Sequence, residues 1–136
     1  MRAVVLDNEA VQALARPEHG KHRVVVAHLA GVVARRRRGA RVVAVVPTAV
    51  RVEAGWDRSD EWAAPVNRFR VLDVGLDAEV ANVAAAIRAR TGVSVADAHL
   101  GAVVRTSAAD DVVVLTSDPG DAKRASEPTK ITAVRI

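Results

Sequence analysis

Two aspartates stand directly beyond the segments that are most strongly patterned as strands. Asp7 follows the apolar run 3–6, and Asp118 follows the apolar run 112–115 after two intervening residues. Short continuous apolar runs of this kind predict strands that are buried on both faces of a parallel sheet. The carboxyl ends of parallel strands meet at one edge of the sheet, where functional groups gather. We therefore expect Asp7 and Asp118 to lie close together.

Two further acids can project toward the same edge. Glu53 lies roughly one and a half turns into the helix predicted to follow the second strand, and Asp97 lies in the first turn of a helix predicted to begin at Ser94. Both have apolar neighbours in sequence, which predicts partial burial. A carboxylate removed from water without a partner costs several kcal/mol, and a cluster of carboxylates costs more unless a cation neutralises it.

The residue types favour a hard cation over zinc. The chain has no cysteine, which excludes disulfides, thiolate metal sites and a cysteine nucleophile. A site made of a few carboxylates with room for water suits Mg²⁺ or Mn²⁺. Such an ion can orient a phosphodiester, activate a bound water and stabilise the leaving oxygen. The predicted chemistry is therefore metal-assisted phosphodiester hydrolysis.

Each acid also has a purely structural explanation. Asp7 can cap a helix that begins at Asn8, and Asp118 can cap a helix opened by Pro119. Asp97 completes a capping box that begins at Ser94, and Glu53 can be a solvated helix residue. His99, two residues from Asp97, points away from it on a helix, and we expect it to be structural. Taken singly, each acid is better explained by its structural role, and only the four in combination favour a metal site.

Strand and helix patterns alternate along the whole chain. Strands are predicted at 3–6, 42–46, 69–74 and 112–115, with an edge strand at 131–136. Helices are predicted at 8–15, 21–37, 77–92, after Pro47, from Ser94 and from Pro119, and a turn with a short helix fills 55–65. This order predicts an α/β fold with a mainly parallel central sheet and helices on both faces.

Length and composition indicate one domain over residues 1–136. The 136 residues are 50% hydrophobic, which is enough for a single core. No apolar run reaches the ~18 residues of a membrane span, and the N-terminus lacks the layout of a signal peptide, so a cytoplasmic protein without a membrane partner is expected. The net charge of +4 points weakly toward a polyanionic partner.

Four segments together resemble a known family, the PIN-domain ribonucleases, and in particular VapC-type toxins of bacterial toxin–antitoxin pairs. The segments are VVLD ending at Asp7, PTAVRVEAG around Glu53, VSVADAHL around Asp97, and VLTSDPGD around Asp118. They span nearly the whole chain. The resemblance implies a PIN-like three-layer fold in which Asp7, Glu53, Asp97 and Asp118 bind the metal. It also implies Mg²⁺- or Mn²⁺-dependent cleavage of RNA, dimerisation, and inhibition by a cognate antitoxin.

Other residues are secondary candidates. Asp121 is a further acid of the last segment or the N3 residue of its helix cap, and Thr116 either hydrogen-bonds a ligand or phosphate or serves only the strand end. The basic residues nearest the acids in sequence are candidate RNA contacts: Arg51, Arg58, Lys123 and Arg124. The run Arg35 to Arg38 is the densest positive charge. It precedes a strand, which predicts a position at the edge opposite the acids, and it is either a phosphate contact or a solvated helix end.

Two other functional classes compete with the nuclease. One is a non-catalytic PIN-like module that binds RNA or a protein; the presence of all four acids counts against it. The other is a nucleotide- or phosphate-binding α/β protein. It lacks support because no glycine-rich loop follows the first strand, where Asp7 and Glu9 would repel a phosphate unless a cation intervened.

Overall fold

The chain forms a parallel sheet covered by helices on both faces. The computed structural model describes all 136 residues. The strands are β1 (Arg2–Leu6), β2 (Val42–Pro47), β3 (Leu72–Val74), β4 (Asp111–Thr116) and β5 (Thr132–Arg135). The helices are α1 (Asn8–Ala15), α2 (His22–Arg37), α3 (Thr48–Ala54), α4 (Ala64–Asn67), α5 (Ala78–Thr91), α6 (Val95–Thr106) and α7 (Pro119–Ser126), and a 3₁₀ turn at Glu61–Ala63 precedes α4.

The strand order β3-β2-β1-β4-β5 places the first strand at the centre of the sheet. All neighbouring strands are parallel, and β1 pairs with β2 on one side and with β4 on the other. Leu6 is in register with Leu115. The residues that follow β1 and β4 therefore emerge side by side at the carboxyl edge of the sheet.

Successive residues of the central strand pack into two different hydrophobic clusters. Val4 and Leu6 belong to a cluster with side chains of α1 to α4, whereas Val5 belongs to a cluster with side chains of α6 and α7. This alternation is the two-residue period of a strand. Because both faces are covered, the strand residues are apolar without interruption, which explains why the sequence pattern identifies them so clearly.

Most predicted elements are confirmed, but the third strand is shorter than expected. The pattern predicts a strand over 69–74, whereas β3 comprises only Leu72–Val74. Phe69 and Arg70 instead close turns onto Val66 and Asn67, and Arg70 has the positive φ of 53°. A left-handed residue cannot continue an extended strand. No helix of the structure has both the length and the apolar character needed to cross a bilayer.

Candidate active site

The predicted acids converge on one polar pocket of about 210 Å³ at the carboxyl edge of the sheet. The pocket is lined by no lysine, arginine or histidine. Its acidic lining residues are Asp7, Glu9, Glu53, Asp97, Asp118 and Asp121. A concentration of carboxylates with no basic side chain lining the same pocket is electrostatically unfavourable, and it favours the binding of positive charge.

Asp7 is fixed at the floor of the pocket. It is buried and caps α1, its Oδ1 accepting the Ala10 N–H at 2.8 Å while its Oδ2 accepts the Ser117 N–H at 3.2 Å. Burial raises the pKa of Asp7, and repulsion from Asp97 adds to the rise, while the hydrogen bonds and the Thr116 hydroxyl oppose it. Two backbone donors hold the side chain in place and still leave lone pairs free for a ligand.

Asp118 and Asp121 enter the pocket from the start of α7. Asp118 caps this helix, because its Oδ1 accepts the Asp121 N–H at 3.0 Å. Thr116 is buried, and its hydroxyl accepts the Asp118 N–H at 2.9 Å. The Asp121 carboxylate pairs with Arg124, one turn further along the helix. Thr116 thus contacts the backbone of one pocket aspartate and stabilises the ionised form of another, Asp7.

Asp97 is repelled by two other aspartates of the pocket. It lies in the first turn of α6, where its N–H donates to the Ser94 hydroxyl at 3.1 Å, and its side chain is half-buried. Burial raises the pKa of Asp97, and repulsion from Asp121 and Asp118 raises it further. The Ser94 side chain therefore caps α6, which is one half of the predicted capping box, and Asp97 also belongs to the acidic pocket.

Close packing of α6 on α7 brings these aspartates together. Gly101 lies one turn beyond Asp97, and a Cβ built on it would stand 2.4 Å from the carbonyl oxygen of Ala125. Only a residue without a side chain allows this approach. Gly101 is a positioning residue that the sequence reasoning missed. A glycine in the middle of an otherwise apolar helix is its signal.

Glu53 lines the pocket, but its predicted burial is wrong. The side chain is exposed, as is that of its neighbour Val52 at 82%. Among the apolar residues of α3 near Glu53, Val50 is the one that is buried in the core. The helix is tied to α6 by His99, whose fully buried Nδ1 accepts the Ala49 N–H at 3.2 Å. Burial lowers the pKa of His99, which supports a structural role.

The pocket contains a further acid, Glu9, that the sequence reasoning did not select as a ligand. It lies in the first turn of α1, and its Oε1 is 2.9 Å from Nε2 of His19 and 4.0 Å from Nζ of Lys21. Lys21 therefore places a positive charge near Glu9, and His19 hydrogen-bonds it. Glu9 therefore differs from Asp7 and Asp97, which have no cationic partner among the causes that set their pKa.

The residues fit a hard divalent cation in ligand type. All the charged donors are carboxylates, as Mg²⁺ and Mn²⁺ prefer. The side chains as they stand do not form a preassembled site, since no group of three His, Asp or Glu residues is placed to hold one ion. Caps and ion pairs hold Asp7, Asp118 and Asp121 in the orientations described above.

The four basic residues proposed from sequence occupy two different places. Arg51 and Arg58 each contact Asp73 at 2.8 Å, and both lie over the ring of Trp56. Neither lines the acidic pocket. The contacts of Arg51 and Arg58 with Asp73 and Trp56 anchor the loop that follows α3. Lys123 and Arg124 are exposed on α7, which borders the pocket.

Comparisons with known proteins identify the fold. No protein-family model matches the sequence, and no curated protein matches it significantly. A chain of FitAcB from Neisseria gonorrhoeae is 18% identical with a TM-score of 0.57, covering 96% of this chain and 95% of that one. A chain of VapBC2 from Rickettsia felis, bound to a DNA fragment from the promoter, is 10% identical with a TM-score of 0.57 and coverages of 97% and 98%.

A third structure, FitAB bound to an IR36 DNA fragment, contains a chain that is 17% identical, with a TM-score of 0.59 and coverages of 97% and 94%. The fold is PIN-like. The five-stranded parallel sheet flanked by helices confirms the α/β architecture expected from the strand and helix pattern. At these identities the likeness concerns the fold, so the chemistry has to be argued from the pocket itself.

Proposed function

We propose that this protein is a metal-dependent endoribonuclease and the toxin of a type II toxin–antitoxin pair. Asp7, Glu53, Asp97 and Asp118 would hold Mg²⁺ or Mn²⁺. The observation that carries the proposal is the pocket lined by six carboxylates and by no basic side chain. Such a pocket repels an RNA phosphate unless a cation intervenes, and a divalent ion supplies that cation.

The residues of the pocket have different roles in the proposed binding of the metal. Asp7, buried and held by two backbone N–H groups, provides a fixed anchor at the floor. Glu53 is exposed on a different helix and can adjust its position at small cost. A bound ion supplies Lewis acidity and activates water for attack on the phosphodiester. Asp121 and Thr116 support the arrangement by fixing the start of α7.

The test compares wild type with Asp97→Asn in RNA cleavage with Mg²⁺ or Mn²⁺ and with EDTA. We expect cleavage by wild type only with the metal and its loss in the variant. Asp77→Asn is the matched control, because Asp77 likewise lies at the start of a helix, where it is the cap of α5 outside the pocket, and Asn caps equally well. Cleavage that survives in Asp97→Asn or in EDTA would contradict the proposal.

A second measurement does not depend on cleavage. A ligand at 100 times its Kd stabilises the folded state by about 2.7 kcal/mol. Mg²⁺ is therefore expected to raise the melting temperature of wild type and of Asp77→Asn, and to have a much smaller effect on Asp97→Asn. Equal stabilisation of all three proteins would place metal binding elsewhere.

The proposed partners are RNA, a cognate antitoxin and a second copy of this chain. One structural neighbour is a VapBC protein bound to promoter DNA, and the sequence resembles VapC-type toxins. Exposed Leu76 and Val95 line two adjoining apolar pockets of about 550 and 460 Å³, the second of which also contains Val52. This apolar surface supports self-association. Light scattering of wild type and Val52→Glu tests it, with a dimer expected for wild type alone.

A non-catalytic PIN-like module that binds RNA or a protein is the second candidate. It is favoured by the lack of any three acids placed to share an ion. This candidate predicts RNA or partner binding by wild type without cleavage under any divalent ion. The cleavage assay above therefore separates the two candidates.

A further inference from the structure

Three exposed arginines lie on the last turn of α2 and its cap, outside the acidic pocket. They are Arg35, Arg37 and Arg38, which we call the arginine patch. None of them is part of any ion pair of the structure. The nearby Arg41 is different, since it lies close enough to Asp110 to lower the pKa of that carboxyl.

The helix end does not require these side chains. Its last carbonyls are satisfied by the main chain, because the Arg38 N–H reaches Ala34 at 3.3 Å and the Ala40 N–H reaches Arg35 at 3.0 Å. The helix dipole favours a cation here by about 0.3 to 1 kcal/mol. Arg35 and Arg38 are three residues apart and therefore lie on the same side of the helix, where the repulsion between their like charges opposes the gain. An external anion would remove this repulsion.

The patch lies at the edge of the sheet opposite the acidic pocket. It precedes β2, whereas the pocket lies beyond the carboxyl ends of the strands. The six residues of β2 span roughly 20 Å at ~3.3 Å per residue. One extended polyanion could contact both places only if it were long enough to cover this distance.

We propose that the arginine patch binds phosphates of the RNA outside the cleavage pocket and so selects long RNA. The inference rests on the proposed function, which supplies RNA as the polyanion. Guanidinium groups suit phosphate because they donate in a planar fork and keep their charge at every physiological pH. The patch contains no aromatic side chain for stacking on bases. The contact is therefore to the backbone and independent of base sequence.

The test is the salt dependence of RNA binding with Ca²⁺ in place of Mg²⁺, so that a cation is available to the acidic pocket, with RNAs of about 30 and about 4 nucleotides. At ~3.4 Å per nucleotide along a stacked strand, the short RNA covers less than the distance between pocket and patch. The variant replaces Arg35, Arg37 and Arg38 by Gln. The matched control replaces three exposed arginines on other turns, Arg16, Arg23 and Arg68, by Gln. Circular dichroism verifies that both variants fold.

Each phosphate contact on a single strand adds about 0.7 to the slope of log K against log salt. For the long RNA we expect the patch variant to lower this slope by about 2 and to weaken binding at 50 mM salt at least tenfold. The ratio of the affinity for long RNA to the affinity for short RNA should also be lower in the patch variant than in wild type. The control variant should keep the wild-type ratio.

Three results would overturn the proposal. One is an unchanged slope and ratio in the patch variant. Another is an equal loss in the control variant, which would indicate net charge alone. The third is unchanged RNA binding combined with lost binding of polyglutamate, which would assign the patch to an acidic peptide. Failure of the nuclease proposal is distinguishable, because wild type would then cleave no RNA with Mg²⁺ or Mn²⁺ while the binding measurements would still report on the patch.

Discussion

Replacing Gly101 by alanine tests whether the close contact between α6 and α7 assembles the acidic pocket. The added Cβ would lie 2.4 Å from the Ala125 carbonyl oxygen, 2.8 Å from its carbonyl carbon and 3.1 Å from its Cβ. Two of the three atoms belong to the backbone of α7, so no side-chain rotation can relieve the overlap. The helices must separate instead, and Asp97 moves away from Asp118 and Asp121.

Two opposing effects determine the size of the change. Alanine in place of glycine inside a helix contributes about 1 kcal/mol of stability. Overpacking of a well-packed core costs typically about 1 to 3 kcal/mol, and more where backbone has to move. We expect a net destabilisation of roughly 1 to 2 kcal/mol. For a domain of 136 residues this corresponds to a melting temperature lower by about 4 to 7 °C.

Gly31→Ala is the matched control for this measurement. Gly31 also lies inside a helix, α2, and a Cβ at this position meets nothing within 4 Å. The same substitution should therefore stabilise the protein by about 0.5 to 1 kcal/mol. Calorimetry of both variants shows directly whether each substitution stabilises or destabilises the protein. Titration with Mg²⁺ then tests whether Gly101→Ala also weakens metal binding in the acidic pocket. If Gly101→Ala proves neutral or stabilising, the helix contact is not tight and the reasoning fails.

Three further predictions concern the pocket and its surroundings. Burial raises the pKa of Asp7 and Asp97, so each carboxyl stabilises the fold below the unfolded pKa of about 3.9 and this stabilisation is lost as the pH rises through the folded pKa. In urea unfolding without divalent ions, the free energy of unfolding of Asp97→Asn should therefore increase relative to wild type as the pH rises through this range. A difference between the two proteins that does not change with pH would contradict the prediction. Thr116→Val leaves a backbone N–H without its acceptor and should cost about 1 to 3 kcal/mol by calorimetry; a cost under about 0.5 kcal/mol would show that this bond is unimportant. Arg58→Met removes an ion pair and a contact over Trp56 and should lower stability by about 1 to 2 kcal/mol; unchanged stability with a tenfold higher KM for RNA would instead indicate an RNA contact.

The sequence was most informative where burial and topology act together. Asp7 and Asp118 could be placed at one edge because two apolar runs predicted parallel strands, and the register of Leu6 with Leu115 confirms that neighbourhood. The predicted caps at Asp7, Ser94 and Asp118 are also confirmed. These signals are local in the chain or follow from a single topological rule.

Other features depend on contacts between distant segments and were not accessible to the same reasoning. The apolar neighbours of Glu53 predicted its burial, yet Val52 beside it is mostly exposed, because a short helix packs only one side against the core. The engagement of Arg51 and Arg58 with Asp73 depends on where the short strand β3 begins. That start is set by the left-handed conformation of Arg70, for which the sequence carries no recognisable signal.

The structural and the chemical explanations of the pocket aspartates are compatible. Asp7 caps α1, Asp118 caps α7, and Asp97 lies in the first turn of α6. Three helix N-termini therefore point at one pocket, and each favours negative charge by about 0.3 to 1 kcal/mol. This contribution favours the ionised carboxylates, of which only Glu9 and Asp121 pair with basic side chains, but burial still raises the pKa of Asp7 and Asp97. A helix end can thus position a carboxylate and leave its remaining lone pairs free for an ion. Capping explains the positions of the acids, and their excess negative charge explains why they would bind a cation.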